Sequence, residues 1–397
     1  MGKRGILTLM ITLFALLGKA QTQISGQIID SASLGPLANA SVYIVNTTIG
    51  TSTNKNGEYS FLNLHPGNYQ LIVSCVGYGT KIAGIIASAG QHIINVSLAE
   101  KTTMLKEVTI GTDDWKQNLN RFKMQFIGTS NANECKIIND DILNLHFENN
   151  RLTASTDGFL NIDNNLLGYQ LRFLVKEFWA DFTTKQCHYS GSVIFAPLHG
   201  KPADEKRWAK NRLAVYNTSF RHFLVSAIQI HTAEDKFVMR KMAFKPNIDK
   251  PSVEVINEKI KLFQSHIHRS RNAMDSLMKW TRLLREPDIK PILEPGALQE
   301  RDIIKSGPQP GTFSLQFTDY LYVICKNKKV DRDIDDLPRF KQAADYQIAA
   351  IRLKNEQQPT LFTDRGILLS RESLFYQGAW NNWIMNLMPD DYEPEQS

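Results

Sequence analysis

Apolar and polar positions alternate with a period of two through the stretch 21–110. Ile24, Gly26 and Ile28 mark one such run, and Tyr69, Leu71, Val73 and Cys75 mark another. Turn-forming clusters separate the runs: Ser33–Pro36, Asn54–Gly57, His65–Asn68 and Gly77–Gly79. Asn56-Gly57 is a hairpin signal, because both residues accept positive φ. Short strands at such spacing predict a small β-sandwich.

Beyond it, 111–118 reads as a polar linker. Residues 119–145 hold one or two short helices around Phe122, Phe126 and Ile142. Strand patterns return at Leu152–Ile162, Tyr169–Phe182 and Gln186–Pro197, the last two as a hairpin across Thr183-Thr184-Lys185. Their aromatic residues, Phe173, Phe178, Trp179, Tyr189 and Phe195, suit a core, with a glycan platform as the alternative. Residues 204–236 follow a helical pattern. So, more clearly, do 252–285, where Val253, Ile256, Ile260, Phe263, Ile267, Met274, Leu277 and Leu284 recur at steps of three and four. Ser252 is placed to cap that helix and Pro287 to stop it. One unbroken helix there would be about 50 Å long. A Pro- and Gly-containing loop (287–311) precedes strands at Thr312–Lys326 and Pro359–Leu369.

The residues of the first region carry a resemblance. G-Q-I-I-D (26–30), G-P-L-A-N-A-S-V-Y-I (35–44), G-T-S-T-N-K-N-G-E-Y-S-F (50–61), P-G-N-Y-Q-L-I-V-S-C-V-G-Y (66–78) and an exit strand L-K-E-V-T-I (105–110) follow in order. Together they resemble the carboxypeptidase regulatory-like domain of Bacteroidetes envelope proteins. The resemblance implies a seven-stranded prealbumin-like sandwich and an accessory role, without peptidase activity of its own. The later stretches G-Y-Q-L-R-F-L-V (168–175), Y-S-G-S-V-I-F (189–195) and S-F-R-H-F-L (219–224) are similar to uncharacterised Bacteroidetes α+β tails, and bring no activity with them. The family often extends TonB-dependent receptors. Here the residues after 110 are too few for a plug and a large barrel.

The expected fold class is therefore mainly β plus α+β. A signal peptide occupies 1–20, a sandwich 21–110, a linker 111–118, and an α+β domain 119–397 with a helical segment at about 204–285. The signal reading rests on Lys3 and Arg4, the apolar run Gly5–Leu17 and the small residues of Gly18-Lys19-Ala20. It sends the chain to the periplasm or outer membrane of a Gram-negative bacterium, where disulfides are permitted. Cys75, Cys135, Cys187 and Cys325 allow three pairings, of which Cys135–Cys187 is the candidate bridge, and no C-x-x-C occurs.

Composition excludes fibrous, disordered and polytopic membrane classes: of 397 residues, 42% are hydrophobic and 22% charged. Charge is uneven. Residues 201–290 carry 19 Lys/Arg and 10 Asp/Glu, a net of +9 against +6 for the whole chain. In an exported chain, that favours anionic lipid or glycan over nucleic acid.

Candidate chemistry is sparse. His231-Thr-Ala-Glu234 is an H-x-x-E; His231 and Glu234 are weak metal candidates, with His266 or His268 as a third ligand. S-x-x-K occurs at Ser52–Lys55 and Ser276–Lys279, without the partner motifs of acyl-enzymes. Asp331, Asp333 and Asp335 suggest calcium, but Asp336 and Gln342 stand where an EF loop needs Gly and Glu. No phosphate-binding Gly loop is present. The sequence thus assigns no catalytic residue and no cofactor. It points to a non-enzymatic envelope protein binding a protein, glycan or anionic lipid. The alternatives are a peptidase or glycosidase with a site assembled from distant residues, and an accessory subunit of a receptor or secretion complex.

Overall fold

The computed structural model describes residues 22–101, 113–128, 132–184, 186–266, 271–329, 337–343, 345–380 and 384–394. The expected signal peptide, the exit strand 105–110 and the Asp331–Asp335 run lie outside these residues. The chain divides into two compact units, 1–217 with 382–397 and 218–381. The division falls inside the stretch that the sequence suggests as one domain.

The first unit opens with β1 (Thr22–Asp30), β2 (Ser41–Ile44), β3 (Gly50–Ser52), β4 (Glu58–Leu64), β5 (Gly67–Ser74), β6 (Lys81–Ala87), β7 (Gly90–Ile93) and β8 (Val96–Leu98). One sheet has the order β4-β1-β7 with β8 also on β1, and the other β3-β2-β5-β6. Ile24 and Ile28 from β1, Val42 and Ile44 from β2, and Leu71 and Val73 from β5 close the core between them. This is the expected prealbumin-like sandwich, with eight strands among the described residues. The edge beside β1 is broken: Ile94 and Asn95 leave the ladder, and β7 and β8 pair in parallel with successive parts of β1. Gly26 is required at that break. A Cβ there would stand 1.8 Å from the Ile94 carbonyl oxygen, which also accepts the Tyr59 hydroxyl at 2.8 Å.

Asn56-Gly57 forms a turn, as expected, with Gly57 at φ 72°. It is not a hairpin turn, because β3 pairs with β2 and β4 with β1, in different sheets.

Helix α1 (Asp113–Phe126) follows, so Asp113–Asn118 belong to a helix rather than to a linker. The second sheet comprises β9 (Cys135–Ile137), β10 (Leu143–Glu148), β11 (Arg151–Thr156), β12 (Leu160–Asn164), β13 (Tyr169–Asp181) and β14 (Gln186–Pro197). The expected strand 152–162 is two strands, and β13–β14 is the expected hairpin. β13 is the spine: β11 and β12 share one edge, β14 fills the other. Phe122 and Phe126 of α1 pack on Phe173 and Phe178, which are buried.

The sandwich is bonded to this second sheet. Asn46 N–H donates to Val193 O at 2.7 Å, and Phe195 N–H donates to Thr47 O at 3.0 Å. The free edge of β14 is thereby capped by main chain, which blunts an otherwise open ladder. Ile72, Val45 and Ile194 are buried between the two. That explains why Leu71, Ile72 and Val73 are buried in succession. Helix α2 (Pro202–Asn217) completes the unit, with Trp208 donating to Asn165 O at 2.8 Å.

The second unit starts with α3 (Phe220–Gln229). Ser219 caps it by accepting the His222 N–H, and this break divides the expected 204–236 helix. β15 (Phe237–Pro246) follows, then α4 (Val253–His266) and α5 (Arg271–Arg285). The single long helix expected over 252–285 is thus two helices that pack against each other. The expected loop 287–311 contains β16 (Ile289–Leu293), α6 (Glu300–Ile303) and β17 (Ile304–Ser306). β18 (Thr312–Leu315), β19 (Tyr320–Lys329), β20 (Tyr346–Leu353), β21 (Thr360–Thr363) and β22 (Leu374–Gly378) complete two antiparallel sheets, β16-β15-β19-β20-β22 and β17-β18-β21. Phe223 and Leu224 of α3 cover one face of the larger sheet. Met242, Tyr322, Leu337 and Ile348 are buried on the other.

Candidate functional site

The site is built by a β-bulge. Along β13, Tyr169, Leu171, Phe173 and Val175 point to the core. The ladder with β14 then slips between Val175 and Glu177, leaving Lys176 and Glu177 both exposed. An extra residue reverses the parity of everything after it. Phe178 is therefore buried at 1% exposure, and Trp179 is turned to the opposite face, half-buried. Of the five aromatic residues flagged in the sequence, Phe173, Phe178 and Phe195 are core. Tyr189 packs edge-on against Phe126 and Phe173.

Register then places a row across four strands: His146 opposite Thr153, Thr153 opposite Trp179, and Trp179 opposite His188. Arg151 lies with its guanidinium carbon 4.3 Å from the Trp179 ring centroid, and the His188 ring is 5.8 Å away. The next row is Glu148, Arg151, Asp181 and Gln186. His146 Nε2 is 3.4 Å from Glu148 Oε2. Asp181 accepts the N–H groups of Thr183 and Thr184, both at 2.9 Å. The Thr184 N–H above all, then that of Thr183 and the Arg151 charge, hold its carboxyl below the usual carboxylate range.

Two adjoining concavities share Leu145 and His146. One, of about 510 Å³, is lined by Trp115, His146, Arg151, Ser155, Glu177 and Trp179 among others. The second, of about 410 Å³, is lined by Asp114, Asn118, Arg121 and Phe147. Arg121 stacks 4.1 Å from the Phe147 ring and donates to Asn118 at 2.8 Å. A half-buried aromatic ring framed by forked donors and carboxylates suits a ligand that offers an apolar face and a polar edge.

The residues flagged in the sequence are placed otherwise. His231 and Glu234 lie on an exposed turn after α3, with Nε2 and Oε2 3.9 Å apart. No third His, Cys, Asp or Glu joins them in a metal-binding group among the described residues. The side chains of His266 and His268 lie outside the described residues. Ser52 ends β3, with Lys55 in the exposed turn beyond, and Ser276 and Lys279 lie on α5. His222 and Asp235, not flagged by any motif, face each other at 3.5 Å beside Phe237.

All four cysteines are free thiols, so the candidate Cys135–Cys187 bridge is not formed. Cys135 pairs through β12 with the start of β13, and Cys187 pairs with Ala180 near its end. Along an extended strand that is about 35 Å. Burial pushes the thiols of Cys135, Cys187 and Cys325 up to about 12, which keeps them protonated and unreactive.

No curated protein matches the chain. Among solved structures, a cohesin–X-dockerin complex from Acetivibrio cellulolyticus is 22% identical over 19% of this chain, with TM-score 0.17. A streptococcal ancillary pilin is 16% identical over 21% of this chain, with TM-score 0.18. The matches span 52% and 33% of those two chains. A DUF3823 family protein from Bacteroides ovatus is 11% identical over 45% of this chain and 100% of its own, with TM-score 0.18. Scores this low carry no inference about activity. The family comparison is specific: residues 24–110, the sandwich and the stretch that follows it, match the CarboxypepD_reg-like domain.

Proposed function

We propose that this is an exported, non-enzymatic envelope protein whose second sheet binds a glycan on its Trp179 face. One observation carries the reading. The bulge at Lys176 and Glu177 takes a tryptophan out of the core register and sets it among Arg151, Thr153 and His188. An indole offers a flat apolar surface to the C–H face of a sugar ring, and forked or planar side chains beside it bond the ring hydroxyls. The CarboxypepD_reg-like domain supports an accessory rather than a catalytic role for the sandwich.

Glu177 and Asp181 flank Trp179 on one strand, four residues apart. Their Cα atoms are therefore about 13 Å apart, a spacing that favours ligand contacts on either side of the ring over an acid/base pair across a glycosidic bond. The first test is fractionation of the native host with N-terminal sequencing of the protein, followed by an oligosaccharide array. The reading expects a chain starting at Gln21 in the envelope fraction and binding to the array. A cytoplasmic chain retaining Met1, or an array on which nothing is bound, would contradict it.

A further inference from the structure

We infer that the two-helix arm formed by α4 and α5 docks on an anionic phospholipid bilayer surface. The arm stands between β15 and β16 and packs chiefly on itself. Its seam is short: Ile256 and Ala273 are buried, with Ile260, Phe263, Leu277 and Trp280 half-buried. Its base is clasped by Lys250, whose ammonium is 2.7 Å from the Asp288 carboxylate and 2.6 Å from Glu286 O, and by Lys290 paired with Asp249.

The arm and its base expose apolar surface out of proportion to their length. Twenty large apolar side chains are exposed among the described residues, and nine fall between Phe244 and Ile289. Met274 and Met278 are 45% and 58% exposed, and Leu262 is 47% exposed. Isolated exposed apolar residues need no explanation, whereas a concentration of them marks an interaction surface.

Charge selects the occupant. The described side chains of α4 and α5 include five Lys/Arg and three Asp/Glu, a net of +2. Lys259, Lys261, Lys279, Arg282 and Arg285 are exposed and interleave with the apolar positions. A second copy of this arm would bring like charges together. The exposed Lys259, Lys261 and Lys279 fit a lipid surface better than the core of a protein interface, which is depleted in lysine. A lipid surface accepts this mixture: apolar side chains enter the acyl boundary while long cationic stems reach the headgroups. No helix among the described residues is long and apolar enough to cross a membrane, so the arm would lie on the bilayer.

This inference adds a membrane contact to the proposed envelope role and does not involve the Trp179 face. The test is co-sedimentation of the full chain with vesicles of phosphatidylglycerol mixed with phosphatidylcholine, and with phosphatidylcholine alone. Binding is expected on the anionic vesicles and is expected to weaken with added salt. Two variants probe the two contributions: Met274→Ser with Met278→Ser, and Lys279→Glu with Arg282→Glu. All four positions are exposed, so the fold is expected to hold, and circular dichroism checks it. Each double variant is expected to weaken vesicle binding at least about tenfold and to leave binding to the oligosaccharide array unchanged. Absence of binding to anionic vesicles, equal binding to neutral ones, or indifference to both variants would overturn the inference. A chain that binds vesicles as expected but no oligosaccharide overturns the glycan reading alone.

Discussion

Asp391 accepts the main-chain N–H of Thr48 at 3.0 Å and is bonded by the Thr48 hydroxyl as well, across 343 residues of sequence. Beside it, Asp390 N–H donates to Asn46 O at 2.8 Å. The chain near its end thus holds the same sandwich loop, 45–48, that caps β14. Asp391→Ala removes the charged acceptor of these hydrogen bonds, and its expected cost is about 2 kcal/mol. Urea unfolding monitored by circular dichroism measures it. A midpoint equal to that of the unmodified chain would make the contact incidental.

The glycine at the break between β7 and β8 gives a sharper contrast. Gly26→Ala forces a methyl group onto Ile94 O, while Gly84→Ala meets nothing nearer than Tyr69 O at 4.0 Å. The first is expected to cost more than about 3 kcal/mol and the second less than about 1 kcal/mol. Thermal melts of the two variants side by side decide this, and comparable losses would be inconsistent with the close approach.

The bulge predicts an inversion between sequence neighbours. Phe178→Ala should destabilise by about 3–5 kcal/mol, because it empties a core contact with Phe122. Trp179→Ala should cost roughly 1 kcal/mol or less. The pair of unfolding midpoints checks it, and equal costs would place both rings in the core.

Asp30 supplies the pH dependence. The N–H of Ala32 above all, then the Tyr78 hydroxyl and the Ser33 N–H, hold its carboxyl below the ordinary value. A lowered folded-state value means that stabilisation is complete above the unfolded carboxylate range. It is lost as pH falls through the lowered value. Acidification below the ordinary range should therefore weaken the sandwich, and Asp30→Asn should flatten that limb. A variant with the same acid profile as the parent would show that Asp30 is not the group responsible.

Much of this architecture was legible in the residues, and the exceptions share a cause. The sandwich and the β13–β14 hairpin announce themselves through alternation bounded by local turns. β20 does not, since Gln347 to Ile351 are all buried and no alternation survives when both faces are covered. α1 begins six residues before its expected start. Trp115, Leu119, Phe122 and Phe126 have helical spacing, but the polar D-D-W-K-Q-N reads as linker when taken alone. α4 ends at His266 and α5 begins at Arg271, and the sequence between them has no Gly or Pro to announce two helices. The site was half visible. Trp179 stood among the flagged aromatics, and the adjacent charges of Lys176 and Glu177 were the trace of the bulge that singles it out. The row with His146, Thr153 and His188 depends on register between distant strands, which no local pattern contains.

The most direct measurement is an equilibrium titration of the full chain with the strongest oligosaccharide from the array, beside Trp179→Ala and Arg151→Ala. Saturable binding by the unmodified chain is expected. A loss of roughly thirtyfold in affinity, about 2 kcal/mol, is expected for Trp179→Ala, with the fold retained at a stability cost of no more than about 1 kcal/mol. A smaller loss is expected for Arg151→Ala. Binding that survives the removal of Trp179 undiminished would contradict the account and move the ligand to another part of the molecule.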